Sequence, residues 1–301
     1  VHVPLDTFAQ LKRYRPDVVI SAEMGMRTLL AAFYRRFHRR SRLIIWAEVS
    51  EATERGRGVL RHLLRVILSR QADAFLAVGA SGARYVRGLG GRAKVFPLFY
   101  TTNVKRFSES ELARPAQRAH RLLYAGQLIG RKGLAPFLDA LAKWAAGHPT
   151  RSVEFTIVGG GPLRTALETF AVPANVALRF AGRVLYEELP GIYSEAGLFV
   201  LPTLADTWGV VVNEALAAGL PVLGSTRAQA VEELIEDGEN GWTFDPAKPE
   251  EIYSAIDRAM NASCDELDTM RGKARARALA LTPDKVAGWI DAAIVTVVRA
   301  G

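Results

Sequence analysis

Short apolar runs alternate with longer amphipathic stretches along the chain. In its first part, Asp17–Ser21, Leu43–Ala47, Ala74–Val78 and Lys94–Phe96 have strand length, and the segments between them, near 25–40, 57–71 and 80–89, carry helical spacing. A second series has strand candidates near 122, 155, 178, 199 and 222 and closes with helical segments from Pro249 onward. Strands separated by helix-length segments predict an α/β fold with mostly parallel sheets, because a parallel pair needs a crossover long enough to hold a helix. Between the two series, Phe96–Phe107 leaves the sheet and Ser108–Arg121 is polar and contains Pro115. A domain boundary is expected there, giving residues 1–107 and 108–282 with a last helical segment at 283–301, and a length of 301 residues suits two domains.

One stretch of the second series carries two acids in set positions. Phe199–Val222 reads as a strand, a loop, a helix opened at Gly209 and stopped at Gly219, and another strand. Leu198–Leu201 is apolar throughout, as in a strand buried on both faces, and Pro202 ends it. Asp206 then falls in the loop at the strand's C-terminal end, and Glu214 lies about a turn and a half into the helix. Ligands of open α/β sheets bind beyond the strand ends, where a helix N-terminus offers unpaired N–H groups to a phosphate. A carboxylate accepts paired hydrogen bonds from vicinal hydroxyls, so the two acids suit a ribose and a sugar ring on either side of a phosphate. The same residues also fit a capped, amphipathic core helix with Glu214 on its solvent face, and from this stretch alone both readings stand.

Upstream, Leu122–Gly133 is a strand running into a Gly-rich turn with Arg131 and Lys132, followed by a helical pattern from Leu134 to about Ala146. The two cations suit a diphosphate. The turn is not a Walker A loop, since Lys132 is followed by Gly133 instead of Ser or Thr and the glycine spacing differs. Next come Phe155–Pro162 with its Gly159-Gly160-Gly161 run, Leu178–Val184, the acid-loop-acid stretch, and Ala230–Trp242. In this order the five segments resemble the C-terminal half of family-4 retaining glycosyltransferases of the GT-B fold, closely over residues from about 120 to 262 and loosely elsewhere. The resemblance implies two Rossmann-like domains with mostly parallel sheets facing across a cleft. Residues 1–107 would form the acceptor-side domain and 108–282 the nucleotide-sugar-binding domain, with 283–301 crossing back onto the first.

By the same resemblance, Asp206 is implied to touch the hydroxyls of the donor sugar and Glu214 the ribose. Lys132 matches the family's diphosphate-binding lysine. Gln127, next to Gly126 in the donor turn, stands where many members carry a phosphate-binding Arg, so Arg131 is expected to take over part of that charge. Trp208, Gly209 and Val210 would bring backbone N–H groups to the phosphate, and Val184, after Gly182-Arg183, falls where the nucleotide base usually stacks. The first acid of the family's pair is usually Glu, and the shorter Asp206 points to a change in sugar choice. No His follows Leu43–Ala47, where many members carry one near the reacting sugar; Glu48 is an acceptor-side candidate there, with a polar strand-end residue as the other reading. The family's first domain opens with a strand and a Gly-rich loop that nothing before Val3-Pro4 supplies, so a shortened N-terminal domain is expected.

The implied reaction moves a hexose-like unit from a nucleoside diphosphate sugar to an acceptor hydroxyl on a glycan or lipid-linked molecule, with retention at the anomeric carbon. Arg131, Lys132 and the N–H groups at Gly209 and Val210 would hold the departing diphosphate in place of a divalent cation. No cofactor and no metal is expected, and Asp206 binds instead of acting as a nucleophile. Two other readings are a GT-B-fold sugar-nucleotide epimerase, which would need its own acid and base over the sugar, and an incomplete, non-catalytic nucleotide-sugar-binding module.

Charge adds a partner. The formal charge is +8, yet residues 1–106 hold 20 Lys and Arg against 7 Asp and Glu, while the remainder holds 19 against 24. The densest cluster is Arg35–Arg42, followed by Arg55, Arg57, Arg61 and Arg65. Such a half suits an anionic membrane surface or a phosphorylated lipid acceptor, and it equally fits a solvated arginine-rich face. Nucleic acid is not expected, because no binding motif or aromatic-interleaved basic segment accompanies the charge. No apolar run reaches the roughly 18 residues of a membrane span, no signal segment opens the chain, and five His and the single Cys264 show no zinc-site spacing. Cytoplasmic residence is expected, with a peripheral position on the inner membrane face.

Overall fold

The computed structural model describes residues 6–299 apart from 23 and 110; Val3 and Pro4, like residues 300 and 301, lie outside the described residues. The chain divides into two compact units: one runs to Tyr100 and is joined by the chain from Asp284 onward, and the other is Thr101–Pro283.

In the first unit, β1 (Val18–Ala22), β2 (Arg42–Ala47), β3 (Ala74–Val78) and β4 (Lys94–Leu98) form one parallel sheet in chain order. The helices Met26–Phe37, Val59–Ser69 and Gly79–Gly88 make the crossovers. β3 is buried at every position, which explains its unbroken apolar run, and Phe75 packs with Leu43, Ile45, Leu68 and Val86. Asp73 fastens the sheet to the first crossover: it accepts the backbone N–H of Leu43 at 2.7 Å and pairs with Arg35 at 2.5 Å. β4 runs through Pro97, beyond the expected end at Phe96; β4 is the last strand of its sheet, where a missing N–H costs no ladder bond. Trp289, on the helix Pro283–Arg299, packs edge-on against Phe99 at 5.5 Å.

The second unit is a six-stranded parallel sheet of β5 (Leu122–Ala125), β6 (Val153–Val158), β7 (Val176–Gly182), β8 (Leu198–Leu201), β9 (Val222–Ser225) and β10 (Gly241–Phe244), in the order β10-β9-β8-β5-β6-β7. β5 has β6 on one side and β8 on the other, so the strand order reverses there. This is the topological switch point of a doubly wound sheet, and the loops that leave β5 and β8 open the crevice at its C-terminal edge. The core beneath is aromatic: Phe137 meets Phe155 at 5.7 Å, and the buried Trp144 donates its Nε1–H to Asp257 at 2.9 Å.

Residues 101–107 belong with the second unit, not with the first as their polar flank suggested. The short helix Val104–Ser108 buries Phe107 edge-on against Tyr193 at 5.4 Å and Tyr186 at 5.9 Å. Burying one such ring contributes about 1.5–3 kcal/mol, enough to fasten a linker. Nor is the stretch after it a solvated spacer. Arg114 is buried, donates to the carbonyls of Ala196 at 3.0 Å and Ala218 at 3.3 Å, and burial lowers its pKa to about 10.

Candidate functional site

The loop after β5 is built by close backbone approach. Gly126 N–H donates to the Val158 carbonyl and Leu128 N–H to that of Gly160, both at 3.0 Å, while Tyr124 donates its O–H to the Gln127 carbonyl at 2.8 Å. Side chains at Gly159 and Gly161 would run into the carbonyl oxygens of Gly126 and Leu128, which accounts for two of the three consecutive glycines. Gln127 itself is exposed. A 3-10 turn, Gly130–Lys132, follows and ends at Gly133 with φ +69°. That left-handed residue lets the turn lie against Pro202, the first residue after β8.

The two loops are stitched together at this turn. The Arg131 carbonyl accepts the Leu204 N–H at 2.8 Å and the Thr203 hydroxyl at 3.0 Å, and the Arg131 guanidinium donates to the Ala205 carbonyl at 2.5 Å. Lys132 donates from Nζ to Asp206 Oδ2, and Arg131 stands 3.8 Å from Oδ1 of the same carboxylate. The Lys132 and Asp206 side chains are 14% and 12% exposed, so this pair is only partly screened by water. Asp206 is held in turn by its N–H to the Arg227 carbonyl at 3.0 Å, and Gln229 donates from Nε2 to the Thr207 carbonyl at 2.5 Å.

Gly209, at φ +102°, opens the helix Val210–Ala217, and no side chain caps it. Its first N–H groups lack intrahelical partners by construction and make an anion-binding end. The Trp208 ring is fully buried with its Nε1–H on Asn213 Oδ1 at 2.8 Å, so only its backbone can serve a ligand. Val210 is 38% exposed at the helix start. Glu214 corrects the solvent-face reading: it is buried within an almost wholly buried helix. Tyr193 donates its O–H to Glu214 Oε2 at 3.0 Å; burial raises the carboxyl to a pKa of about 7, against the opposing pull of that hydrogen bond. Tyr193 is a partner of this candidate residue that sequence reasoning missed, since it arrives from the separate helix Leu189–Ser194 with no spacing motif to announce it.

Arg131, Lys132 and Asp206 are therefore brought together, and Glu214 sits farther along the same loop and helix. Val184 is half-buried in the loop after β7, whose Gly182 carbonyl accepts the Gly159 N–H at 2.7 Å. Glu48 belongs to the first unit, exposed, where it accepts the Tyr100 O–H while Tyr100 accepts the Trp46 Nε1–H at 3.1 Å. Among the described residues no three His, Cys, Asp or Glu converge as a metal site would require.

Comparison with known proteins agrees with this architecture. Residues 119–262 match the family model described as "Glycosyl transferases group 1". An uncharacterized glycosyltransferase of Methanocaldococcus jannaschii, MJ1607, is 31% identical over 143 residues, covering 46% of this chain and 35% of its own length. Glycogen synthase of Mycobacterium tuberculosis is 27% identical over 289 residues, 91% of this chain and 66% of its own. The chain thus spans about a third of the first relative and two thirds of the second. Among solved structures, Anabaena HepE in complex with UDP superposes with a TM-score of 0.77 at 17% identity, over 96% of this chain and 82% of that one. The fold is the α/β architecture with two parallel sheets found in GT-B glycosyltransferases.

Proposed function

We propose that this chain acts as a retaining glycosyltransferase that moves a hexose-like unit from a nucleoside diphosphate sugar to the hydroxyl of a glycan or lipid-linked acceptor, without a metal ion. The observation that carries the reading is the meeting of Lys132 and Arg131 with Asp206 at the β5/β8 switch point, just before an uncapped helix N-terminus. Departure of the diphosphate builds negative charge on its oxygens. Two fixed cations and the first N–H groups of the helix meet that charge without reorganising, and each preorganised donor of this kind is worth about 2.7–4 kcal/mol. Asp206 orients Lys132 before the donor arrives and offers its remaining acceptor capacity to sugar hydroxyls. Glu214, ionised, would accept the ribose diol. The UDP bound by the HepE structure and the glycosyltransferase names of the relatives support a nucleoside diphosphate donor.

The test is incubation with a panel of labelled nucleoside diphosphate sugars, following release of the diphosphate and transfer to glycan or lipid-linked acceptors by mass spectrometry. Transfer with the α-anomer retained from an α-linked donor is expected. Isomerised donor without release would establish an epimerase instead, and binding without either reaction a nucleotide-sugar-binding module.

A further inference from the structure

The helix Val59–Ser69 carries more apolar surface than its own unit covers: Leu68 is buried in the core, but a second stripe is not. Val59, Leu60, Leu63 and Ile67 form one stripe and are 85%, 82%, 52% and 46% exposed. The opposite side, turned into the unit, carries Arg65, which is 4% exposed and pairs with Glu54 at 3.0 Å. A surface helix ordinarily hides its apolar stripe and shows its charges. Here the inward side holds that ion pair beside the buried Leu68, and a second apolar stripe is left outside, which marks it as a surface meant to be covered.

Charge around the stripe selects what covers it. Arg55, Arg57 and Arg70 are exposed at the two ends of this segment. Just beyond its C-terminal end, Gln71 joins Arg35, Arg36 and Arg39 of the helix Met26–Phe37 and its end in lining a cleft of about 300 Å³. Arg35 is engaged by Asp73 at 2.5 Å and Arg42 by the same carboxylate at 3.7 Å, whereas Arg36 and Arg39 form no ion pair among the described residues. The nearby acids Glu51, Glu54 and Asp73 are all neutralised by arginines. A second copy of the chain would bring the same cations against themselves, so self-association through this face is opposed by like charge.

We infer that the helix Val59–Ser69 is an interfacial anchor for an anionic bilayer: the apolar stripe enters the boundary between headgroups and acyl chains, and the Arg36–Arg39 cleft takes a lipid phosphate. The helix is too short to span, and among the described residues no helix is long and apolar enough to cross a membrane. Lying in the interface with cations at its ends is the geometry that remains for such a stripe. The inference extends the lipid-linked side of the proposed function, but its test needs neither donor nor acceptor.

Flotation of the whole chain with vesicles of phosphatidylcholine alone, or of phosphatidylcholine and phosphatidylglycerol in equal parts, separates the contributions. Binding to the mixed vesicles is expected, with a fraction resisting high salt. Leu60→Ser with Leu63→Ser should lower vesicle affinity at least about tenfold and abolish the salt-resistant fraction. Arg36→Gln with Arg39→Gln should erase the preference for the anionic lipid. All four side chains are exposed or half-buried at the surface, so thermal melts should be unchanged. In Leu63→Trp, added anionic vesicles should shift the tryptophan emission to the blue. Equal binding by wild type and variants, no binding at low salt, or no blue shift overturns the inference. Concentration-dependent dimers lost in the double serine variant, without vesicle binding, would assign the face to a second copy. Nucleotide titrations of the same variants without vesicles keep this result separate from the fate of the catalytic reading.

Discussion

Lys132 and Asp206, 74 residues apart in the chain, form an ion pair where the loops leaving β5 and β8 meet. Each loop positions the other's functional group: Gly133 lets the cationic turn reach Pro202, and the Arg131 carbonyl gathers Thr203 and Leu204 so that Asp206 faces the lysine.

Removing the cation should disable turnover while the chain still folds. Lys132→Ala is expected to lower kcat about 100- to 1,000-fold, the loss of one preorganised donor. Stability should fall by about 1–3 kcal/mol, leaving the chain folded, because the pair is largely buried but Arg131 remains 3.8 Å from the carboxylate. Asp206→Asn should cost less, about tenfold, and add little to Lys132→Ala, since both act through one pair. Steady-state kinetics of the two single variants and the double variant, with thermal melts, check this; additive losses would mean that the two residues act independently.

Glu214 makes both stability and donor binding pH-dependent. Its folded pKa is raised to about 7 from an ordinary 4.5. Between those values the folded state holds the extra proton, so stability is lost as pH rises through the interval, by roughly 3 kcal/mol in full. Glu214→Gln should flatten that slope and be more stable than wild type at about pH 8. Nucleotide affinity should move oppositely in the wild type, rising toward pH 8 as the carboxylate becomes acceptor-only, and Glu214→Gln should weaken it by about 1.5–3 kcal/mol. Tyr193→Phe, lacking the hydrogen bond that favours ionisation, should shift the affinity profile to higher pH. Calorimetry and denaturant melts between about pH 5 and pH 8 test the wild type and both variants.

Much of this arrangement was legible because strand ends and glycines announce themselves. The unbroken apolar runs at β3, β5 and β8 and the stops at Pro202 and Gly219 located the loops that hold Arg131, Lys132 and Asp206, whose roles only the resemblance implied. β10 was not legible: unlike β5 and β8, Gly241–Phe244 has no unbroken apolar run, since Thr243 interrupts it and it opens on Gly241, which is there because its backbone crowds Val222. Glu214 was assigned a solvent face as one reading because a charged residue in a helix ordinarily has one. Its real surroundings depend on Tyr193, supplied by another helix, and local patterning carries no trace of such a partner. The linker was misjudged for a related reason, since the polar stretch after Phe107 hides Arg114, whose partners are carbonyls and thus invisible in composition.

Gly133 should be intolerant where Gly130 is permissive. A side chain at Gly133 would combine φ +69° with a collision against the Pro202 carbonyl, whereas one at Gly130 meets nothing within 4 Å. Gly133→Ala is expected to lower stability by at least about 1–3 kcal/mol and to reduce turnover with it, because the turn must withdraw from β8. Gly130→Ala should leave the melting temperature unchanged or slightly raised. A matched pair of melts and donor titrations decides the matter, and equal behaviour of the two variants would show that the approach of the turn to Pro202 is not needed.

Charge compensation by the protein itself predicts indifference to chelators. If Arg131, Lys132 and the helix end at Gly209 neutralise the departing diphosphate, transfer should proceed at the same rate in excess EDTA and should not increase with magnesium or manganese. The same argument predicts a change in Lys132→Ala: with one cation gone, a divalent ion bridging the diphosphate oxygens can supply part of the missing charge, so added magnesium should restore some turnover to the variant and none to the wild type. Initial rates of both proteins in EDTA and across a magnesium series provide the measurement. Loss of wild-type activity in chelator, with recovery on adding metal, would show that the two cations do not suffice and that the diphosphate leaves with a metal ion bound.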